Sequence, residues 1–203
     1  GAGAGADAYP IDYFVVHCAA DDAAGQEKAC VLDKLAQEFA QQHGRAPRVW
    51  IDKMCADQFN PQQLATLLPV AMMASRRVLL LYSDGCRRDL WVLYALYLPA
   101  ALSTALDSAD GHGHGHGHDS RAFSKRIEVV NLLSDRAGEE RENWTKFRPI
   151  SEAQYERAKT LVKKQAPVVR GALSACPGGT PVVLKWINAV LKHCFELAIA
   201  DPG

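Results

Sequence analysis

The segment Arg77 to Tyr82 reads Arg-Val-Leu-Leu-Leu-Tyr. Residues alternate sides along a strand, so a strand with one wet face alternates apolar and polar. This run is apolar on both faces, which places it in the middle of a parallel sheet with helices covering each side. The chain supplies the other strands such a sheet needs. Tyr13-Phe14-Val15-Val16-His17 is β-branched and aromatic, follows Pro10 and ends near Asp21-Asp22. Arg48 to Asp52 and Ile127 to Leu133 are two further strand candidates.

Helical patterns lie between these runs. Leu32, Leu35, Ala36 and Phe39 recur at helical spacing over Gln26 to Gln42, and Gly44 stands where a helix stop belongs. Asn60-Pro61 is a preferred N-cap followed by proline at the first helical position. Pro69 predicts a kink or break in the helix it opens. Ser83-Asp84-Gly85 turns the chain into a helix from Asp89 to about Leu98. A polar helix is expected from Ser151 to Gln165, a punctuated stretch from Pro167 to Pro181, and a last helix from Val182 to Ala200 with Val183, Ile187, Val190, Leu191, Cys194 and Leu197 on one stripe. Strands alternating with helices predict an α/β fold: a flavodoxin-like, doubly wound parallel sheet of about four to five strands. Right-handed crossovers follow. The functional crevice of such a sheet lies at the carboxyl ends of its strands. That edge gathers His17 to Asp22, Asp52 to Gln58, Ser83 to Asp89 and Leu133 to Asp135.

The organisation expected is a flexible Gly-Ala lead-in over residues 1–10, as in a fragment cut from a longer chain, then a single domain over 11–200. Residues 107–120 form a low-complexity loop rich in Gly-His pairs. The length, 203 residues, allows a full core without staples. Lys plus Arg (23) equals Asp plus Glu (23), which lacks the basic excess of a nucleic-acid binder. No residue from Leu90 to Leu106 is charged, but the run is at the short edge of spanning length and holds Pro99, so it reads as a buried helix rather than a membrane span. The six cysteines form no Cys-x-x-Cys pair and read as reduced, buried thiols of a cytoplasmic protein. No signal peptide opens the sequence.

Several motifs together resemble the Toll/interleukin-1 receptor-like (TIR-like) domain. Asp12 to His17 followed by Asp21 is similar to its opening strand, and Val49 to Asp52 to its second. Val78 to Ser83 followed by Leu90-Trp91 resembles the strand and helix that carry a Ser … Trp-Cys-x-x-Glu-Leu signature. Trp50-Ile51-Asp52-Lys53-Met54-Cys55-Ala56-Asp57-Gln58 resembles a Trp-Ile-Asp-x-x-Cys-Ile-x-Gln motif of algal and oomycete TIR-like proteins and of heterokaryon-incompatibility domains. The resemblance covers about residues 11–100.

The resemblance implies a signalling or defence module that associates with itself or with other TIR-like domains, with no nucleic-acid or membrane partner and no resident cofactor. It also implies NAD as substrate or ligand, held by His17, Asp21, Asp52, Ser83 and Trp91. Enzymatic members use the Glu of the signature, and here Ala95 stands in its place. N-glycosidic cleavage passes through an oxocarbenium-like state that a carboxylate stabilises, and alanine cannot do this. The chain is therefore expected to be catalytically degenerate. The alternatives are an enzyme that uses Asp84, Asp89 or Asp52 as a substitute, or a module that binds a nucleotide without hydrolysing it. Asp84 and Asp89 also suit turn and cap roles.

Four other constellations call for a reading. His112, His114, His116 and His118 suit a transition metal, but glycine spacers leave them unorganised. His17 and Cys18, adjacent on a strand, point to opposite faces and cannot readily pair as base and nucleophile. Arg76-Arg77 and Arg87-Arg88 flank the third strand and read as exposed loop arginines, with phosphate binding as the sharper alternative. Trp91, Tyr94 and Tyr97 share a helix side. They read as core, with self-association as the other option.

Overall fold

A computed structural model describes residues 9–18, 20, 26–55, 60–109, 126–132, 147–160 and 163–200. Four strands, β1 (Ile11–His17), β2 (Val49–Ile51), β3 (Ser75–Tyr82) and β4 (Ile127–Asn131), form one sheet in the order β2-β1-β3-β4. All three pairings are parallel. This is the doubly wound α/β arrangement expected from the alternation of patterns.

The winding follows from handedness. The crossover from β1 to β2 runs through α1 (Gln26–His43). The next, through the one-turn α2 (Asp52–Cys55) and α3 (Pro61–Met73), passes back over β1 to β3, and α4 (Leu90–Ala109) leads on to β4. Right-handed crossovers that reverse direction at β1 must lie on opposite faces. Accordingly, Tyr13, Val15, Leu79 and Leu81 pack on α1 through Phe39. Phe14, Val16, Val78 and Leu80 pack on α3 and α4. Leu79, Leu80 and Leu81 are all fully buried, as the apolar run requires.

The α3/α4 face is doubled by the C-terminal helices α5 (Glu152–Arg157), α6 (Ala166–Ser174) and α7 (Gly179–Ala200). Val169, Leu173, Val183, Ile187, Leu191 and Cys194 join the same core with no exposure. In the first half of α4, Val92 to Leu98 are buried at every position. A helix apolar all round is one buried all round. Among the described residues, no helix is long and apolar enough to cross a membrane.

Several local expectations need correction. Pro69 does not break α3, which runs through it to Met73. Proline removes the N–H that would reach the carbonyl four residues back. That carbonyl, on Ala65, instead accepts the Tyr94 hydroxyl of α4 at 3.2 Å. Burial raises the Tyr94 phenol above its ordinary pKa and keeps it a donor. The polar helix expected from Ser151 to Gln165 ends at Arg157. Ser151 caps it through a reciprocal capping box with Gln154, but Lys159 pairs as a parallel bridge with Asp89, and a 3-10 turn follows at Lys163–Gln165. The stretch expected to be mere punctuation contains α6. Gly178 sits at φ 86, and a Cβ there would collide with Val182 Cγ2, so the start of α7 needs glycine. Leu197, placed on the buried stripe of α7, is 37% exposed. The thiols are only partly buried as a set: Cys30 and Cys55 are exposed, whereas Cys18, Cys86 and Cys194 are buried and all six are free. Burial pushes the Cys194 thiol up to about 12. Arg76 and Arg77 lie within β3 rather than in a loop, and Arg77 pairs with Glu128 of β4.

At the amino end of the sheet Asp12 is 1% exposed. Its carboxylate accepts both Arg45 guanidinium nitrogens at 2.7 and 2.8 Å, and the Arg48 backbone N–H at 2.7 Å. Arg48 adds Nε at 3.2 Å. Arg45 first and then Arg48 hold this carboxyl far below its ordinary value of 3.8, against the opposing effect of burial. The contact fixes β1 to the turn that leads into β2.

Two expected outcomes follow from this packing. Asp12→Asn should lower unfolding free energy at neutral pH by about 2 kcal/mol, the scale of hydrogen bonds to a charged group. The folded pKa is depressed, so this stability is complete above about pH 4 and drains away as pH falls below it. Denaturant unfolding at pH 7 and pH 3 should therefore separate wild type from Asp12→Asn more at pH 7 than at pH 3. Tyr94→Phe should cost about 1 kcal/mol by leaving the Ala65 carbonyl unpaired. Pro69→Ala restores a backbone donor, so the Tyr94→Phe penalty should shrink in that background. Equal penalties in both backgrounds would show that the hydroxyl does not serve this carbonyl.

Candidate functional site

In a sheet of order β2-β1-β3-β4, β1 and β3 send their crossovers in opposite directions. The carboxyl ends of those two strands therefore flank a gap, the usual ligand position in such sheets. His17 closes β1 opposite Leu81, and Ser83 follows β3 directly. A crevice opens beside His17 on the α3/α4 face, with Trp50, Leu68, Trp91 and Ala95 among its walls.

Each wall is held by a specific contact. Phe14 stacks on Trp50 at 4.6 Å between ring centroids and 6° between planes, which fixes the β2 side. On the opposite side Trp91 meets Tyr94 edge-on at 6.0 Å. Its indole N–H donates to Gln165 Oε1 at 2.7 Å. Gln165 is 2% exposed, so the bond lies inside protein rather than in water. The structure thus brings together three positions singled out in the sequence, His17, Trp91 and Ala95. It adds Phe14, read only as part of a strand, Trp50, which opens the Trp-Ile-Asp motif, and Leu68, which the sequence did not single out.

The crevice is small. Its free volume is about 20 Å³, enough for about one water molecule. Ligand pockets for molecules of nucleotide size hold roughly 300–1,000 Å³. Ala95 is 4% exposed and presents a methyl group to the crevice. Among the described residues that line the crevice, His17 is the one titratable side chain.

The carboxylate candidates fall elsewhere or outside what is described. Asp89 Oδ1 accepts the backbone N–H of Trp91 at 2.9 Å and of Val92 at 3.4 Å. That is an N-cap for α4, favoured also by the helix dipole. Asp89 does not line the crevice. The backbone of Asp84 opens the 3-10 turn Asp84–Arg87, and that of Asp52 opens α2. The side chains of both lie outside the described residues, as do Asp21 and the histidines His112, His114, His116 and His118. Among the described residues, no cluster of His, Cys, Asp or Glu could hold a metal ion. Ser83 is 5% exposed and is not part of the crevice wall. Its hydroxyl lies 3.5 Å from the Cys86 sulfur, and its carbonyl accepts the Cys86 N–H at 3.1 Å to close the 3-10 turn. Cys18 is buried, whereas His17 faces the crevice. Tyr94 and Tyr97 are buried core side chains.

The cap geometry has a measurable signature. Asp89→Ala should destabilise the fold by about 1 kcal/mol in chemical denaturation, while Asp89→Asn should cost a few tenths at most, since both Asp and Asn cap well. A large loss with Asn would mean that the negative charge, not the cap hydrogen bond, is what the site needs.

Comparison with protein-family models, with curated proteins and with solved structures finds no match for this chain.

Proposed function

We propose that this chain is a TIR-like association module of the cytoplasm, which docks with further copies of itself or with other TIR-like domains and does not hydrolyse NAD. The observation that carries the reading is position 95. A buried alanine occupies the place of the signature carboxylate, in a crevice of about 20 Å³. An oxocarbenium-like transition state formed there would meet aromatic and aliphatic walls and no anion among the described lining residues.

The outer surface supports the association half of the reading. Val70 is 62% exposed and Met73 is 37% exposed, one turn apart on α3. Large apolar groups left in water at neighbouring positions are what an association surface presents.

Two measurements on the purified chain test the proposal. Sedimentation over a wide concentration range should show average mass rising with concentration, and Val70→Asp should weaken that association roughly tenfold. A monomer at every concentration would remove self-association. NAD consumption by the wild type should be absent even at high protein concentration. Turnover would instead direct attention to Asp52, Asp84 and Asp89 as substitute carboxylates.

A further inference from the structure

A second concavity lies on the far side of the start of α4, between the 3-10 turn after β3 and helices α5 and α6. It encloses about 720 Å³, within the range of small-molecule sites. Among the described residues, five cationic side chains, Arg87, Arg88, Arg157, Lys159 and Arg170, line it against one carboxylate, Glu156. The whole chain is neutral, with 23 basic and 23 acidic residues, so this concentration of one sign is not a reflection of composition.

The fold builds the cluster. Lys159 N–H donates to the Arg88 carbonyl at 2.9 Å, and Leu90 N–H donates to the Lys159 carbonyl at 2.8 Å. This short parallel ladder sets two segments of opposite halves of the chain side by side, with their cations on one rim. Arg170 buttresses the wall: its guanidinium donates to the carbonyls of Glu156 at 2.7 Å and Ala158 at 3.0 Å and lies over the Tyr155 ring. It also reaches Glu156 Oε2 at 3.4 Å, which offsets the charge of that carboxylate. Arg87 donates to the Arg148 carbonyl. The remaining three, Arg88, Arg157 and Lys159, are exposed and have no side-chain acceptor among the described residues.

We infer that this cleft binds a compact anion bearing two or more phosphoryl groups. Like charges gathered around a concavity repel one another, and their joint potential favours a multivalent anion over single counterions. Arginine forks fit phosphoryl oxygens two at a time, and lysine adds a mobile point charge. None of the described residues lining the cleft is aromatic, so none of them offers a ring for a base to stack on. Recognition is therefore by charge and spacing, whether the phosphates are free or form the arm of a nucleotide. The inference is independent of the association reading above.

Calorimetric titration of the full chain with inorganic pyrophosphate tests it, with ADP as a second arm. Saturable binding is expected at low ionic strength, weakening as salt is added. The double variant Arg88→Gln, Lys159→Gln changes only exposed side chains and should bind at least about tenfold more weakly, equivalent to 1.4 kcal/mol. Lys185→Gln, an exposed cation of α7 outside the cleft, should bind as the wild type does, and thermal melts should show both variants folded. ADP should match pyrophosphate within about threefold, a difference of under 1 kcal/mol. No saturation up to about 1 mM pyrophosphate, a free energy of only about 4 kcal/mol, would overturn the proposal. So would unchanged affinity in the double variant, or equal loss in Lys185→Gln. A tenfold preference for ADP would overturn recognition by charge alone.

Discussion

The β2 edge of the sheet rests on its pairing with β1, and little in the sequence holds that pairing. Strand β2 spans only Val49–Ile51, and all three residues are half-buried. A one-residue slip would exchange the faces of Val49, Trp50 and Ile51. Asp12 prevents it by binding the backbone N–H of Arg48 together with the side chains of Arg45 and Arg48. With that end pinned, Phe14 meets Trp50 in the ladder and their rings stack at the crevice. A buried ion contact at one end of the sheet therefore sets the aromatic wall at the other. The specificity is one of register, which is the role for which buried charge is best suited.

The strands and most helices were legible because their signals are local. The Leu79-Leu80-Leu81 run could only be central, and Asn60-Pro61, Gly44 and Ser151 stopped or started helices where such residues do. The failures have a common cause in partners distant along the chain. Pro69 reads as a helix breaker until Tyr94 supplies a hydrogen for the carbonyl it strands. The helix from Ser151 reads as continuous until Lys159 is drawn out to pair with Asp89. The exposure of Cys30 and Cys55 could not be read from apolar neighbours, since a helix turns each residue to its own side.

The candidate site was legible in the same uneven way. His17, Trp91 and Ala95 could be placed at one edge from strand order and a family-like motif, because each stands at a fixed offset from a strand end. The tightness of the crevice could not, because it depends on the stack of Phe14 and Trp50 and on Gln165 reaching Trp91 from the C-terminal half. The basic cleft was invisible as a cluster. Arg87-Arg88 drew notice alone, while Arg157, Lys159 and Arg170 looked like ordinary solvated charges of a polar helix and its sequel.

The doubling of the α3/α4 face by α6 and α7 bears on how the chain is made. All four strands have been synthesised once Asn131 leaves the ribosome, so sheet pairing can begin then. At that moment the side of α4 that later receives Leu173, Ile187 and Leu191 is still bare. The emerging chain carries this apolar surface until the last helix arrives, and it closes only when Asn188 grips Ile150 through both backbone groups, at 2.7 and 3.0 Å. Completion of the fold thus waits on the synthesis of α7, and a chaperone that shields the helical face would bridge that interval.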